Sequence, residues 1–142
     1  MGGDITWTCQ GGQYVFQLVF YRDCNGAVVN TAFETLRVWG HPTITSIPVN
    51  FVGSSDVSPY CTQVPGGPVP LDCGVGQNAG NGIGAIEKAV YRSAPIALPG
   101  TPPAGGWVFT FETFSRSSSI TNLVSPDTKG ITLVAKMFSV PN

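Results

Sequence analysis

The sequence predicts an all-β domain, an immunoglobulin-like antiparallel β-sandwich of about seven strands with one long disulfide-stapled loop. Two observations lead to this prediction. Apolar side chains alternate with other residues at a period of two through most of the chain, which is the spacing of β-strands. Turn-forming Gly, Pro and Asn recur about every dozen residues between these runs, as in sandwiches and barrels. The 142 residues fit a single domain, 1–142.

The first two strands are predicted to form a hairpin. The segment DITWTC precedes a QGGQ turn, and QYVFQLVFYR follows it. Within the second segment, the even-numbered residues from Tyr14 to Phe20 share one face and the odd-numbered residues share the other. Glycines at the tip are typical of a tight hairpin turn.

Five further strands follow. Their sequences are FETLRVWG, TITSIPVNFV, AIEKAVYRSAPIAL, WVFTFETF and ITLVAKMFSV. The segment AIEKAVYRSAPIAL has residues that favour a helix. However, Val90, Arg92, Ala94 and Ile96 alternate, and Pro95 would interrupt a helix, so a strand is predicted, with a short helical turn at its start as the alternative. Pro48 places the strand TITSIPVNFV at a sheet edge or a bend. The stretch 53–85 is rich in Gly, Pro, Ser and Asn, and a loop of this length is uncommon unless it is stapled or functional.

Composition excludes several classes of partner. Charged residues make up 11 % of the chain, against about 25 % in ordinary domains, and the net charge is −1. The seven Lys and Arg are scattered, whereas nucleic acid and anionic membrane surfaces both require clustered basic residues. No apolar run approaches the about 18 residues that a membrane-spanning helix needs, so no membrane insertion is predicted.

Four cysteines in a Gly- and Pro-rich chain of low charge favour an oxidising, extracellular location. Cys61 and Cys73 are predicted to form a local disulfide. Closing a loop of that length stabilises the folded protein by roughly 3 kcal/mol. A Cys9–Cys24 bridge requires a bulge or a strand crossing, because residue 24 lies far beyond the hairpin partner of residue 9. Arg22-Asp23-Cys24 is predicted to be structural, since no His or cluster of cations lies nearby in sequence.

No pattern of catalytic residues emerges, so a non-enzymatic protein without a cofactor is predicted. His41 is the single histidine, and no serine lies in a GxSxG elbow. Glu112, in the middle of a strand, is the best-placed acid for a glycosidase pair, but a surface-facing acid is the preferred interpretation. The segment 23–26, DCNG, contains a fragment of a calcium loop without the remaining acids. Calcium held by Asp23 is therefore an alternative to a simple Asx-type turn.

The aromatic residues permit two interpretations. Trp7, Trp39 and Trp107 all lie in strand patterns, which indicates a core role. The alternative is a carbohydrate-binding module, in which aromatic side chains on a sheet face or at a loop end stack on sugars. Trp39, Tyr60 and Trp107 are the candidate ligand-contacting aromatics for that function.

A family resemblance covers nearly the whole chain. The segment GGDITWTCQGGQYVFQLVFYRDCNG resembles the opening domain of large secreted surface proteins from Bacteroidota. In these proteins Gly-Gly-[Asp/Glu]-Ile-Thr-Tyr-x-Cys precedes a Gly-rich turn and a strand ending in Tyr-Arg-Asp-Cys. The segments PYC…LDC, AVYRSAPIALPG and GGWVFTFETFSRSSSITNLVSPDTKG extend the resemblance in the same order.

The resemblance implies a module of a long cell-surface protein, often exported by the type IX route, that acts in adhesion, gliding motility or filament assembly. Its expected partners are neighbouring domains of the same chain, surface glycans, or further copies joined through edge strands. No catalytic residues follow from it. The family often has Cys-Cys-Arg where this chain has Phe114-Ser115-Arg116. That difference leaves Cys9 and Cys24 without obvious partners and makes a bridge between them more attractive.

Overall fold

A computed structural model describes residues 2–24, 26, 28–58, 73, 85–114, 116 and 120–139. Its elements are β1 (Gly2–Gln10), β2 (Gln13–Asp23), β3 (Phe33–Trp39), β4 (Ser46–Asp56), β5 (Ile86–Arg92), β6 (Trp107–Thr113), a 3₁₀ turn (Pro126–Thr128) and β7 (Ile131–Met137). The described residues contain no α-helix. The predicted all-β class and the seven strands are confirmed.

The seven strands form one antiparallel sheet in the order β1-β2-β5-β4-β3-β6-β7. Gly11 and Gly12, with φ of 58° and 77°, make the tight turn of the predicted β1–β2 hairpin. The two edge strands, β1 and β7, lie beside each other. A Cβ atom added to Gly3 in β1 would lie 2.7 Å from a side-chain carbon of Leu133 in β7. The sheet therefore curls around a common interior. Its division into two layers, as in an immunoglobulin-like sandwich, stays a prediction.

Aromatic and aliphatic side chains from all seven strands fill this interior, including Ile5 of β1 and Met137 of β7. Among the described residues, the largest fully buried side chains are Phe16, Leu18, Leu36, Ile47, Val49, Tyr91 and Phe109. The rings of Phe16 and Phe109 have centroids 4.6 Å apart, and the Trp7 ring packs against both at 5.9 and 5.8 Å. Burial of each such side chain contributes about 1.5–3 kcal/mol, so this cluster is the main source of stability.

Pro48 lies within a central strand, so the predicted edge position is wrong. β4 lies between β5 and β3 in the sheet. Pro48 faces Thr35 of β3, and its pairing with β5 begins only at Asn50. Proline lacks an N–H and cannot donate a hydrogen bond to a neighbouring strand. No β5 residue pairs with Pro48, so no β5 carbonyl is left without a donor there. The strand therefore accommodates proline without losing a bond to β5.

Candidate functional site

Arg22 is a buried cation on the interior face of β2. Its side chain is 5 % exposed, and its register partner in β5 is Glu87. The Arg22 Nε–H donates to Glu87 Oε2 at 2.5 Å, and Nη1–H donates to the carbonyl oxygens of Asp23 and Gly26 at 3.3 and 3.2 Å. A buried charge needs a counter-charge and hydrogen-bond acceptors, and Arg22 has both. This pair holds the end of β2 against the start of β5.

Cys24 forms a disulfide with Cys73, with Cα atoms 5.3 Å apart. The predicted Cys61–Cys73 bridge is therefore wrong, and so is the Cys9–Cys24 bridge. Cys9 pairs with Tyr14 near the hairpin tip, whereas Cys24 follows the opposite end of β2. That distance along the strand, at about 3.3 Å per residue, keeps the two sulfurs apart. Cys9 is an exposed thiol, and Cys61 lies outside the described residues.

Asp56 connects the disulfide to two more strand ends. Its Oδ2 accepts a hydrogen bond from the Cys73 N–H at 2.8 Å, and its Oδ1 accepts one from the Ser58 N–H at 2.8 Å. The Ser58 Oγ in turn accepts from the Ile86 N–H at 2.9 Å, and the Cys24 N–H donates to the Ala85 carbonyl at 3.1 Å. The ends of β2 and β4 and the start of β5 are thus joined at one end of the sheet.

We call the residues Arg22, Cys24, Asp56, Cys73 and Glu87 the clasp. Their charges and sulfurs are all engaged in bonds that join strands, and Cys24 has no thiol with which to react. This agrees with the structural role predicted for Arg22-Asp23-Cys24. The Gly26 N–H donates to the Asp23 carbonyl at 2.8 Å, so the chain turns directly after β2. The described residues contain no group of three or more His, Cys, Asp or Glu side chains that could hold a metal ion.

The three candidate ligand-contacting aromatics have different environments. Trp39 is 51 % exposed on the outer face of β3, and its Nε1–H donates to Thr110 Oγ1 at 3.0 Å. This bond holds the indole ring in one orientation against the sheet. Trp107 is 2 % exposed, so its predicted role as a ligand contact is wrong; its ring packs 4.7 Å from that of His41. Tyr60 lies outside the described residues.

His41 completes the turn between β3 and β4. It is 7 % exposed, and its Nδ1 accepts hydrogen bonds from the Thr43 and Ile44 N–H groups at 3.2 and 3.0 Å. Because Nδ1 accepts, the ring proton resides on Nε2. Nε2 is buried and has no hydrogen-bond partner among the described residues. The side chain therefore holds the turn between β3 and β4.

Glu34 is the acid that sequence reasoning missed. It shares the interior face of β3 with Leu36 and Val38, and it lines a cavity of about 120 Å³ with Tyr91. Burial raises the pKa of Glu34. Burial, with the nearby charges of Glu34 and Glu87, raises the pKa of Tyr91 to about 12. The Tyr91 hydroxyl donates to the Asn30 carbonyl at 2.8 Å.

The sequence carried a signal for Glu34, because alternation places it with two buried aliphatic residues. The best-placed acid by sequence was Glu112, which the structure shows exposed on the outer face of β6. Glu34 and Glu112 thus lie on opposite faces of the sheet, and the two carboxylates do not form a pair across one pocket. The surface-facing interpretation of Glu112 is confirmed.

A groove of about 500 Å³ lies on the outer face of β1, β2 and β5. Its lining includes Thr6, Thr8, Val15, Gln17, Arg92 and Pro95. One wall is the segment 93–96, which continues past β5 along β2. There Ser93 and Phe16 exchange hydrogen bonds, and Ile96 and Tyr14 exchange two more. Sequence reasoning did not identify this groove, because it depends on the pairing of β2 with β5.

Comparisons with known proteins add no relative. No protein-family model, no curated protein and no solved structure matches the chain. The resemblance to surface proteins of Bacteroidota therefore stays a prediction. Among the described residues, the search for membrane-crossing helices finds no segment with the required length and hydropathy.

Proposed function

We propose that this domain is a non-enzymatic structural module of a large extracellular cell-surface protein, acting in adhesion, gliding motility or filament assembly. The observation that carries the proposal is the clasp. A disulfide, a buried ion pair and a bridging carboxylate join three strand ends at one point. Disulfides persist in oxidising compartments, and the predicted family of exported surface proteins fits that environment.

The arrangement suits a mechanical role. Cys24 and Cys73 are separated by 49 residues, so the bridge fixes both ends of a long chain segment against β5. In a module within a longer chain, such a bridge limits how far the segment between its cysteines extends under load. Neighbouring domains of the same chain are the proposed partners, with edge strands as a further means of self-association.

The test combines location with attachment. Intact cells of the source organism are labelled with a membrane-impermeant antibody against the domain, and cell attachment to a surface is measured with and without the coding segment for residues 1–142. The proposal expects surface labelling and loss of attachment, gliding or filaments on deletion. A cytosolic protein with Cys24 and Cys73 both open to alkylation would contradict it. Deletion of the segment with all three behaviours intact would contradict it as well.

A second candidate function is carbohydrate binding through Trp39. The specific observation is that Trp39 is half exposed while its Nε1–H bond to Thr110 holds the ring still. A fixed aromatic face loses little conformational entropy when a sugar stacks on it. Arg37 lies on the same outer face of β3 as Trp39, and it pairs with Thr110 in register. Polar groups therefore flank the indole ring.

A glycan array tests this function with a matched pair of variants. Trp39→Ala removes the ring, and Phe33→Ala removes another exposed aromatic, 53 % exposed, from the same face of β3. Binding that Trp39→Ala abolishes and Phe33→Ala leaves intact supports the function. An array without hits for the unmodified domain, or equal losses in the two variants, removes it.

A further inference from the structure

A row of polar side chains crosses the groove on β1, β2 and β5 and continues beyond the groove's lining onto β4. Thr6 pairs with Gln17, Gln17 pairs with Arg92, and Arg92 pairs with Asn50, so the four residues lie in register. Neighbouring strands are about 4.8 Å apart, and three such spacings make a row about 14 Å long. A row of this length is suited to a short chain of sugars rather than to a single ring.

Arg92 is the charged centre of this row. It is the single charged side chain among the described residues that line the groove, and it is exposed. Its Nη2–H donates to Gln17 Oε1 at 3.1 Å, which orients the guanidinium plane on the sheet. A guanidinium carries five N–H donors, so this one bond to Gln17 leaves donors for a ligand. A planar guanidinium matches a carboxylate through two parallel hydrogen bonds.

The rest of the lining selects sugar over peptide. Thr6, Thr8, Gln10 and Gln17 offer hydroxyl and amide groups, and the apolar residues of the lining are Trp7, Val15 and Pro95. A peptide recognised by a sheet usually adds to an open edge through its backbone, whereas this groove lies on a sheet face. Hydroxyl and amide groups around one fixed cation complement a polyhydroxylated chain that carries carboxylates.

We propose that the groove is a binding site for an acidic polysaccharide, with Arg92 holding a uronate carboxylate and Thr6, Thr8 and Gln17 holding sugar hydroxyls. A single cation favours an isolated carboxylate over a densely charged polyanion, whose binding requires clustered basic residues. The groove is lined by no residue of β3, so the site is separate from the surface around Trp39 on that strand. It rests on neither the clasp nor the proposed structural role.

Isothermal titration of the folded domain with trigalacturonate tests the proposal. We expect saturable binding, and we expect Arg92→Gln to raise Kd about tenfold or more, because a charged hydrogen-bonded pair is lost. Arg92→Lys retains the charge but loses the fork, and we expect an intermediate Kd. Arg37→Gln removes a cation from the face that carries Trp39 and should leave Kd unchanged. Unfolding curves of each variant confirm that it folds.

Two further ligands complete the test. Maltotriose has the hydroxyls without carboxylates and should not bind at the same concentrations. Dextran sulfate reports on general attraction to polyanions, and since Arg92→Gln and Arg37→Gln each remove one cation, the two variants should weaken its binding equally. The proposal is overturned by absence of saturable trigalacturonate binding, by equal losses of that binding in Arg92→Gln and Arg37→Gln, or by maltotriose binding as tightly as trigalacturonate.

Discussion

Removal of the Cys24–Cys73 bridge should cause a large loss of stability, and its size follows from the chain length between the cysteines. The two residues are 49 positions apart. In the chain-entropy relation, closing a loop of about 50 residues removes roughly 14 cal/mol/K from the unfolded state, or about 4 kcal/mol at 25 °C. Native domains have only about 5–15 kcal/mol in total, so the double variant Cys24→Ala/Cys73→Ala should lie near the limit of folding.

The assay is urea unfolding followed by tryptophan fluorescence. With an m-value of about 2 kcal/mol/M, the loss predicts a midpoint lower by about 2 M. The matched control is Cys9→Ser, which replaces an exposed thiol and should stay within about 0.5 kcal/mol of the unmodified protein. Peptide mapping without reductant should recover the residues around Cys24 and Cys73 as one linked product.

Either of two results would contradict the predicted role of the Cys24–Cys73 bridge. One is a double variant that loses less than about 1 kcal/mol, since the loop-closure term would then be absent. The other is a linked peptide that joins Cys61 to Cys73, since the strand ends would then not be connected as described. In the first case the remaining clasp bonds, centred on Asp56 and Glu87, would hold the strand ends without help from the sulfurs.

Three further predictions concern single side chains. Glu87→Gln should lower the free energy of unfolding in urea by about 2 kcal/mol, because it leaves Arg22 buried without a counter-charge. Glu87 is 18 % exposed, so this loss is smaller than for a fully buried ion pair. Tyr91 should titrate near pH 12 by ultraviolet absorbance. Because its pKa is raised from 10.0 in the folded state, the free energy of unfolding should fall as the pH rises from 10.0 to about 12. Tyr91→Phe should remove that fall. Gly106→Ala should lower the melting temperature, because Gly106 has a φ of 76° and the new Cβ would lie 2.9 Å from a backbone oxygen, at a cost of at least about 1–2 kcal/mol. Gly53→Ala meets no atom within 4 Å and should melt near the unmodified protein.

Much of the fold could be predicted because strands and tight turns depend on residues that are close together in the sequence. The alternation in β2 and β6 and the glycines at 11 and 12 define strands and a hairpin without reference to the rest of the chain. Alternation over residues 90–96, together with Pro95, predicted a strand rather than a helix in this segment, and β5 (Ile86–Arg92) confirms it. Alternation also placed Glu34 on one face of β3 with Leu36 and Val38, without deciding that this face is the interior.

The pairing of distant strands could not be predicted, because no local pattern encodes which strands become neighbours. β2 lies beside β5 and β4 beside β3, and this order brings Cys24 within bonding distance of Cys73 and places Arg22 opposite Glu87. The groove around Arg92 depends on the same order. Sequence proximity favoured Cys61 as the partner of Cys73, and tertiary pairing overrode it.

The two tryptophans Trp39 and Trp107 show where sequence and tertiary structure divide. The sequence by itself determined that both lie in strands, that alternate side chains point to opposite sides, and that the interior must be apolar. It did not determine which side is the interior, because both faces of β3 carry large apolar residues. Only the tertiary structure decided this: Trp107 lies in the interior with Phe16 and Phe109, whereas Trp39 stays half exposed, because the side of β3 that carries Trp39 faces away from that interior.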